Sequence, residues 1–278
     1  MALFAKNIKC SFGDTQTNQA ELPRCLACRM VTGNDALGAS RSIIILRIIL
    51  GIMRWGKLCS PIARLNWDGW RSATRAGIPA TAASRYLTTL RELGLVRRDV
   101  PFTERHPEKS KRGLYVVADP FVWFWCRFIL PHQSLIQAGQ GETVWREFIR
   151  PQLDTYLGII FEEVCRQYVL HRWAAVHGST PVRVGRVWAA DYDLDVTAEL
   201  ADGRSRRLLV GECKWWKTSV DANVLRDLRP RAKLVGEQLG REIQLAIFSL
   251  SGFTDELRAA AKHGDVTLIS AEELLRRP

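Results

Sequence analysis

Leu209-Val210-Gly211-Glu212-Cys213-Lys214-Trp215 is the stretch on which the fold turns. An apolar run ends in Glu-x-Lys. A second run, Tyr192-Asp193-Leu194-Asp195-Val196, lies upstream across a turn at Ala201-Asp202-Gly203. Side chains alternate faces along a strand, so Glu212 and Lys214 point the same way. If the two runs pair as a hairpin, Asp195 lies beside them on that face. Two carboxylates and one amine at a sheet edge suit a divalent cation such as Mg²⁺ or Mn²⁺, and a water steered toward a phosphodiester. The same tripeptide also suits a half-exposed hairpin with an ordinary salt bridge.

Two neighbouring features favour the chemical reading. Leu208-Leu209-Val210 is a buried-type strand running straight into charge, and Trp215-Trp216 follows at once. Upstream, Gly158-Ile159-Ile160-Phe161-Glu162-Glu163-Val164-Cys165 predicts a helix from which Glu162 or Glu163 adds a carboxylate.

Working outward, 278 residues suffice for one large or two modest domains with real cores. The hydrophobic and charged shares, 47% and 25%, are those of an ordinary globular protein. The formal net charge of +11 is not, and such a field attracts polyanions, nucleic acid first among them. Seven cysteines, odd in number and mostly isolated in apolar segments, predict reduced thiols in a cytoplasmic protein. Cys25 and Cys28 have metal-knuckle spacing with Cys10 upstream, but no second pair follows to complete a zinc site. The longest apolar run, Ser42 to Met53, is broken by Arg47 and too short to span a bilayer, so no membrane partner is expected. Gly51 to Lys57 traces the outline of a phosphate-binding loop, yet Leu58 stands where a metal-binding Ser or Thr is required. No ATP site is therefore expected.

Residues 1–60 read as a poorly defined lead-in. Residues 61–135 change character. Thr81 is expected to cap an amphipathic helix with Ala83, Tyr86, Leu87, Leu90 and Leu93 at helical spacing, stopped by Gly94. Leu95 to Arg98 and Leu114 to Val117 are short strands around a basic loop, the outline of a winged helix-turn-helix. Residues 71–118 hold ten Lys/Arg against four Asp/Glu. Thr81, Ser84, Arg85, Thr88 and Arg91 form the predicted exposed face of a recognition helix, with Lys109, Lys111 and Arg112 on the wing facing phosphates. A winged helix used only for protein contacts fits the same pattern. The aromatic run from Phe121 to Phe128 suits a buried connector helix better than a base-stacking platform.

Residues 136–278 then read as an early helix, a hairpin, a basic amphipathic helix from Val220 to Leu239, and alternating strand and helix to the end. The whole is α/β: a winged helix-turn-helix followed by a domain with a central mixed sheet.

Locally, Asp195 with Glu212 and Lys214 resembles the PD-(D/E)xK nuclease core. More broadly, Tyr86-Leu87 through Gly94-Leu95-Val96, Glu104 to Tyr115, Asp119-Pro120-Phe121 with Phe124-Trp125, Phe161-Glu162 and Gly211 to Trp215 resemble one family. It is the C-terminal half of prokaryotic, notably archaeal, ATPases that end in the domain DUF234, over roughly residues 60 to 278. The resemblance implies a winged helix followed by a restriction-endonuclease-like domain. Members usually begin with a P-loop ATPase module for which this chain has no room, so a truncated or split member is expected, with an ATPase encoded elsewhere as an expected partner. The family's Glu-Ile-Asp is matched by Asp193-Leu194-Asp195, which shortens the first acid by one methylene. Three functions stay open at this level. One is a metal-dependent DNA nuclease using Asp195, Glu212, Lys214 and Glu162, with Asp195 and Glu212 as metal ligands. The others are a non-catalytic DNA-binding or regulatory module on an inert scaffold, and a decayed ATPase fragment.

Overall fold

The computed structural model describes residues 80–203 and 205–276. The lead-in, the Gly51–Lys57 loop, and Cys10, Cys25 and Cys28 lie outside the described residues. Among the described residues no helix is long and apolar enough to cross a membrane.

Helix α1 (Ala80–Glu92) buries Leu87 and Leu90, the apolar positions one turn apart. It already includes Ala80, so Thr81 falls inside the first turn instead of capping it. Gly94 ends the helix at φ 69°, and the Leu95 N–H returns to the Leu90 carbonyl, a Schellman closure that a side chain at position 94 would strain. Strands β1 (Val96–Asp99) and β2 (Leu114–Val117) pair antiparallel with Val96 opposite Val117.

Asp119 then caps helix α2 (Pro120–Phe124) by accepting from the Val122 N–H, with Pro120 in the first turn. The aromatic run continues as a π-helical turn, Trp125–Ile129. Trp123 and Phe128 are buried against Tyr156, so the run is core, as its density predicts, although Phe121 stays exposed.

Two short helices follow, α3 (Gln133–Gln137) and α4 (Gly141–Val144), then the 28-residue α5 (Arg150–His177), ended by Gly178 at φ 79°. Next come β3 (Thr180–Trp188), β4 (Asp193–Asp202), β5 (Ser205–Lys214), α6 (Ala222–Leu239), β6 (Glu242–Ser249), α7 (Asp255–Lys262), β7 (Thr267–Ser270) and α8 (Ala271–Leu275). The five strands form one mixed sheet in the order β3-β4-β5-β6-β7. The first three are antiparallel, and the last two run parallel to β5.

The alternation within β5 builds two cores. Leu208 and Val210 pack with Val224, Leu225 and Leu228 of α6 and with Leu257 of α7. Leu209 packs on the other face with Phe161, Cys165, Val169 and Trp173 of α5. Helices thus cover both faces of a mixed sheet, the α/β class expected. The hairpin between β4 and β5 closes with Asp202 opposite Ser205 and Gly203 at φ 57°, a left-handed position suited to a two-residue turn.

Candidate active site

Glu212 and Lys214 continue the face of Leu208 and Val210. As the spacing predicts, they meet: the Lys214 Nζ donates to Glu212 Oε1 at 2.7 Å. Glu212 is buried, and its Oε2 accepts no hydrogen bond although the Arg231 guanidinium of α6 stands 3.2 Å away. Arg231 is itself steadied by donating to the Asp193 carbonyl at 2.9 Å. Gly211 keeps this end of β5 close to its neighbours, since a Cβ there would stand 2.9 Å from Phe248 and 3.2 Å from Val196.

Asp195 stands at a break in the β3–β4 register. Between Gly185↔Thr197 and Val187↔Leu194, β3 advances two residues while β4 advances three. The extra residue is a β-bulge next to Asp195, a device that re-aims side chains. Leu194 accordingly faces the α6 core, while Val196 faces the α5 core. The Asp195 carboxylate accepts from the Cys213 N–H at 2.8 Å, which ties it to the middle of the Glu-x-Lys triplet. Burial, then the negative charges of Glu162 and Glu212, push the Asp195 carboxyl up to about 7. Cys213 itself is a spacer: burial, then its neighbour Cys165, push its thiol well up, away from thiolate.

The two helix glutamates divide the work. Glu163 is fully occupied. It accepts from Arg97 at 2.7 Å, from Arg166 at 3.2 Å and from Gln167 at 2.8 Å. Burial raises its pKa, but Arg97, Gln167 and Arg166 outweigh that, and the carboxyl is held below its ordinary value. Glu162 is shifted the other way, raised chiefly by burial, with Arg166 and Arg186 only partly offsetting it. Its Oε2 lies 3.6 Å from Arg166.

Arg166, absent from the sequence-predicted site, links these groups. Almost buried, it donates to the Asp195 carbonyl at 2.7 Å while contacting both glutamates. Its spacing of four from Glu162 and three from Glu163 on one helix was a signal for the pairing, though not for the reach to β4.

Among the described residues, no group of three or more His, Cys, Asp or Glu side chains is gathered as a ready-made metal cage. The donors present nonetheless fit a hard divalent cation in kind. They are carboxylate oxygens, one of them buried without a hydrogen bond, on acids whose proximity raises the Asp195 pKa. Asp195 and Glu212 are the available pair; Glu162 is turned toward Arg166.

On the expected DNA-facing surface, Ser84, Arg85, Thr88 and Arg91 are exposed on α1, while the side chain of Thr81 is outside the described set. Lys109 and Lys111 are exposed on the loop between β1 and β2. Arg112, also exposed, folds back to Glu104 at 3.2 Å and to the Trp188 carbonyl at 2.6 Å, so it braces the wing against the sheet.

Two family models match parts of the chain. Residues 73–100, which include α1, the Gly94 turn and β1, match the IclR helix-turn-helix domain. Residues 125–225 match DUF234, described as archaea bacterial proteins of unknown function. The uncharacterized protein MJECL04 of Methanocaldococcus jannaschii is 34% identical over 157 residues, covering 54% of this chain and 34% of its own. The chain thus spans about a third of the length of that curated relative. Similar solved structures include an EndoMS–double-stranded DNA complex at TM-score 0.30 and 11% identity, covering 42% of this chain and 46% of that one. Restriction endonuclease FokI bound to DNA follows at TM-score 0.30 and 9% identity, with 79% and 61% covered. Protein VC1899 from Vibrio cholerae stands at TM-score 0.28 and 14% identity, with 82% and 48% covered. The chain carries a DUF234 region downstream of an IclR-type helix-turn-helix segment.

Proposed function

We propose that this protein is a DNA-binding, metal-dependent phosphodiesterase, with residues 61–135 as the binding module and residues 136–278 as the hydrolytic one. The observation that carries the reading is the Asp195 carboxylate accepting from the Cys213 N–H, the residue between the paired Glu212 and Lys214, where the start of β4 meets the end of β5. The bulge, the Cys213 N–H and the Arg166 contact all serve to hold Asp195 there. An acid with a carboxyl raised to about 7 beside a buried carboxylate is costly in a fold that makes no use of it.

Asp195 and Glu212 would hold Mg²⁺ or Mn²⁺, which when bound supplies charge stabilisation at the phosphate and a more acidic water. Lys214 sits where its ammonium can orient a water or face charge building on a phosphate oxygen, once Glu212 is shared with a cation. Glu162 is the reserve carboxylate, available when Arg166 releases it. Arg231 holds the far oxygen of Glu212 in register. The recognition surface is the exposed face of α1, with Lys109 and Lys111 touching phosphates and setting the position of the duplex.

A second reading has its own observation. Both oxygens of Glu212 are faced by cations of the chain, Lys214 and Arg231, which suits a structural ion-pair network on a non-catalytic DNA-binding module. Cleavage of linear, supercoiled and branched DNA with Mg²⁺ or Mn²⁺ separates the two. Wild type is expected to cut, and Glu212→Ala and Lys214→Ala to lose cutting while staying folded. Salt-sensitive DNA binding in all three with no cutting by any would leave the binding module alone.

A further inference from the structure

A cleft of 390 Å³ opens between the loop after β1, the middle of α5 and strand β3. That volume is in the range of small-ligand sites, about 300–1,000 Å³. Five arginines line it, Arg97, Arg98, Arg166, Arg183 and Arg186, against two carboxylates, Asp99 and Glu163. Those carboxylates are already engaged. Asp99 accepts from Arg97 at 2.9 Å and lies 3.7 Å from Arg186, and Glu163 is shared by Arg97 and Arg166.

Among the described residues, the other two cations are held by neutral groups. Arg98 donates to the Pro107 carbonyl at 2.8 Å and to the Ser110 carbonyl, and its guanidinium lies across Gly113, where a Cβ would collide with it. Arg183 donates to the Phe102 carbonyl at 2.8 Å and stacks on the Phe102 ring at 3.9 Å, leaving a buried Nε–H without a partner. Gly185 makes room for that ring, since a Cβ there would stand 3.3 Å from Phe102. Carbonyls and an aromatic face fix the guanidinium planes without cancelling their charge. Rigid, uncompensated guanidinium forks in a partly desolvated cleft match the oxygens of a phosphate.

We infer that this cleft is a phosphate-binding site, separate from the Glu-x-Lys end, with Arg98 and Arg183 as its principal donors. The phosphate belongs either to a nucleic-acid backbone running off the wing or to a free phosphorylated compound.

Titration of the full chain with inorganic pyrophosphate in metal-free buffer at fixed ionic strength tests this, with thermal stabilisation as the readout. Because no metal is present, the outcome does not depend on whether the protein cuts DNA. Saturable stabilisation is expected for wild type and for Lys233→Ala, an exposed lysine outside the cleft lining, with affinity reduced about tenfold or more in Arg183→Gln. Leu170→Glu supplies a second route: it adds a carboxylate at an exposed position lining the cleft and keeps every arginine, so it should weaken binding without unfolding the chain. Equal affinity in the wild type and both cleft variants, or no saturable response, overturns the site. A labelled oligonucleotide of about 20 nucleotides distinguishes the sources. Displacement by pyrophosphate in wild type assigns the site to backbone phosphate, and undisturbed binding assigns it to a free phosphorylated compound.

Discussion

The acid end of β5 and the arginine cleft beside the wing carry opposite electrostatic problems. At the end of β4 and β5, acids crowd together: Asp195 is pushed up to about 7 by burial and by Glu162 and Glu212. In the cleft beside the wing, cations crowd: burial lowers the pKa of Arg186, Asp99 and Glu162 partly offset it, and Arg166 and Arg97 push it down further. Arg166 is shared by both regions, contacting Glu162 and the Asp195 carbonyl at the first and lining the second. The comparison teaches that neither end is arranged for maximal stability; on the readings proposed above, the first would take a cation and the second an anion.

Breaking the shared link should have the largest effect. Arg166→Met removes the buried guanidinium that contacts Glu162, Glu163 and the Asp195 carbonyl, and should cost about 3–5 kcal/mol of unfolding free energy in urea. Relieving the acid end should do the reverse. A carboxyl whose pKa is raised on folding binds its proton more tightly in the folded state, so its presence lowers stability progressively from about pH 4 to about pH 7 and keeps it low above. Asp195→Asn should therefore stabilise the metal-free protein at pH 8 by on the order of 2 kcal/mol, a gain that vanishes near pH 4. Thermal denaturation at the two pH values in EDTA checks it.

Smaller effects sharpen the basic side. Arg97→Ala breaks part-exposed pairs with Asp99 and Glu163 and should cost only about 1 kcal/mol, because water screens them. Lys109→Ala and Lys111→Ala should leave the fold untouched and each lower the salt slope of duplex DNA binding by about 1, read by anisotropy across a salt series.

What could be read in advance divides along similar lines. Glu212 and Lys214 are two apart on an apolar strand, and strand alternation alone brings them together. Gly94 and the turn at Gly203 likewise mark a helix end and a hairpin through local backbone chemistry. The order of helices and strands gave the α/β class, since burial periodicity survives in the text. Asp195 is an expectation of the hairpin reading, whereas the β-bulge beside it exists only once β3 is laid against β4. Arg166 reaches a strand 29 positions away, and the cleft gathers Arg98 and Arg183 from separate elements. No local spacing encodes such encounters. Arg112 was expected to face phosphates and instead donates to the Trp188 carbonyl, 76 positions on.

The most direct measurement is a calorimetric titration of the full chain with Mn²⁺ in the absence of DNA, for wild type, Asp195→Asn, Glu212→Gln and Lys214→Ala. The account predicts a saturable site in wild type and in Lys214→Ala, abolished in Asp195→Asn and Glu212→Gln. Unchanged binding in the two acid variants, or no saturable binding by the wild type, would contradict it.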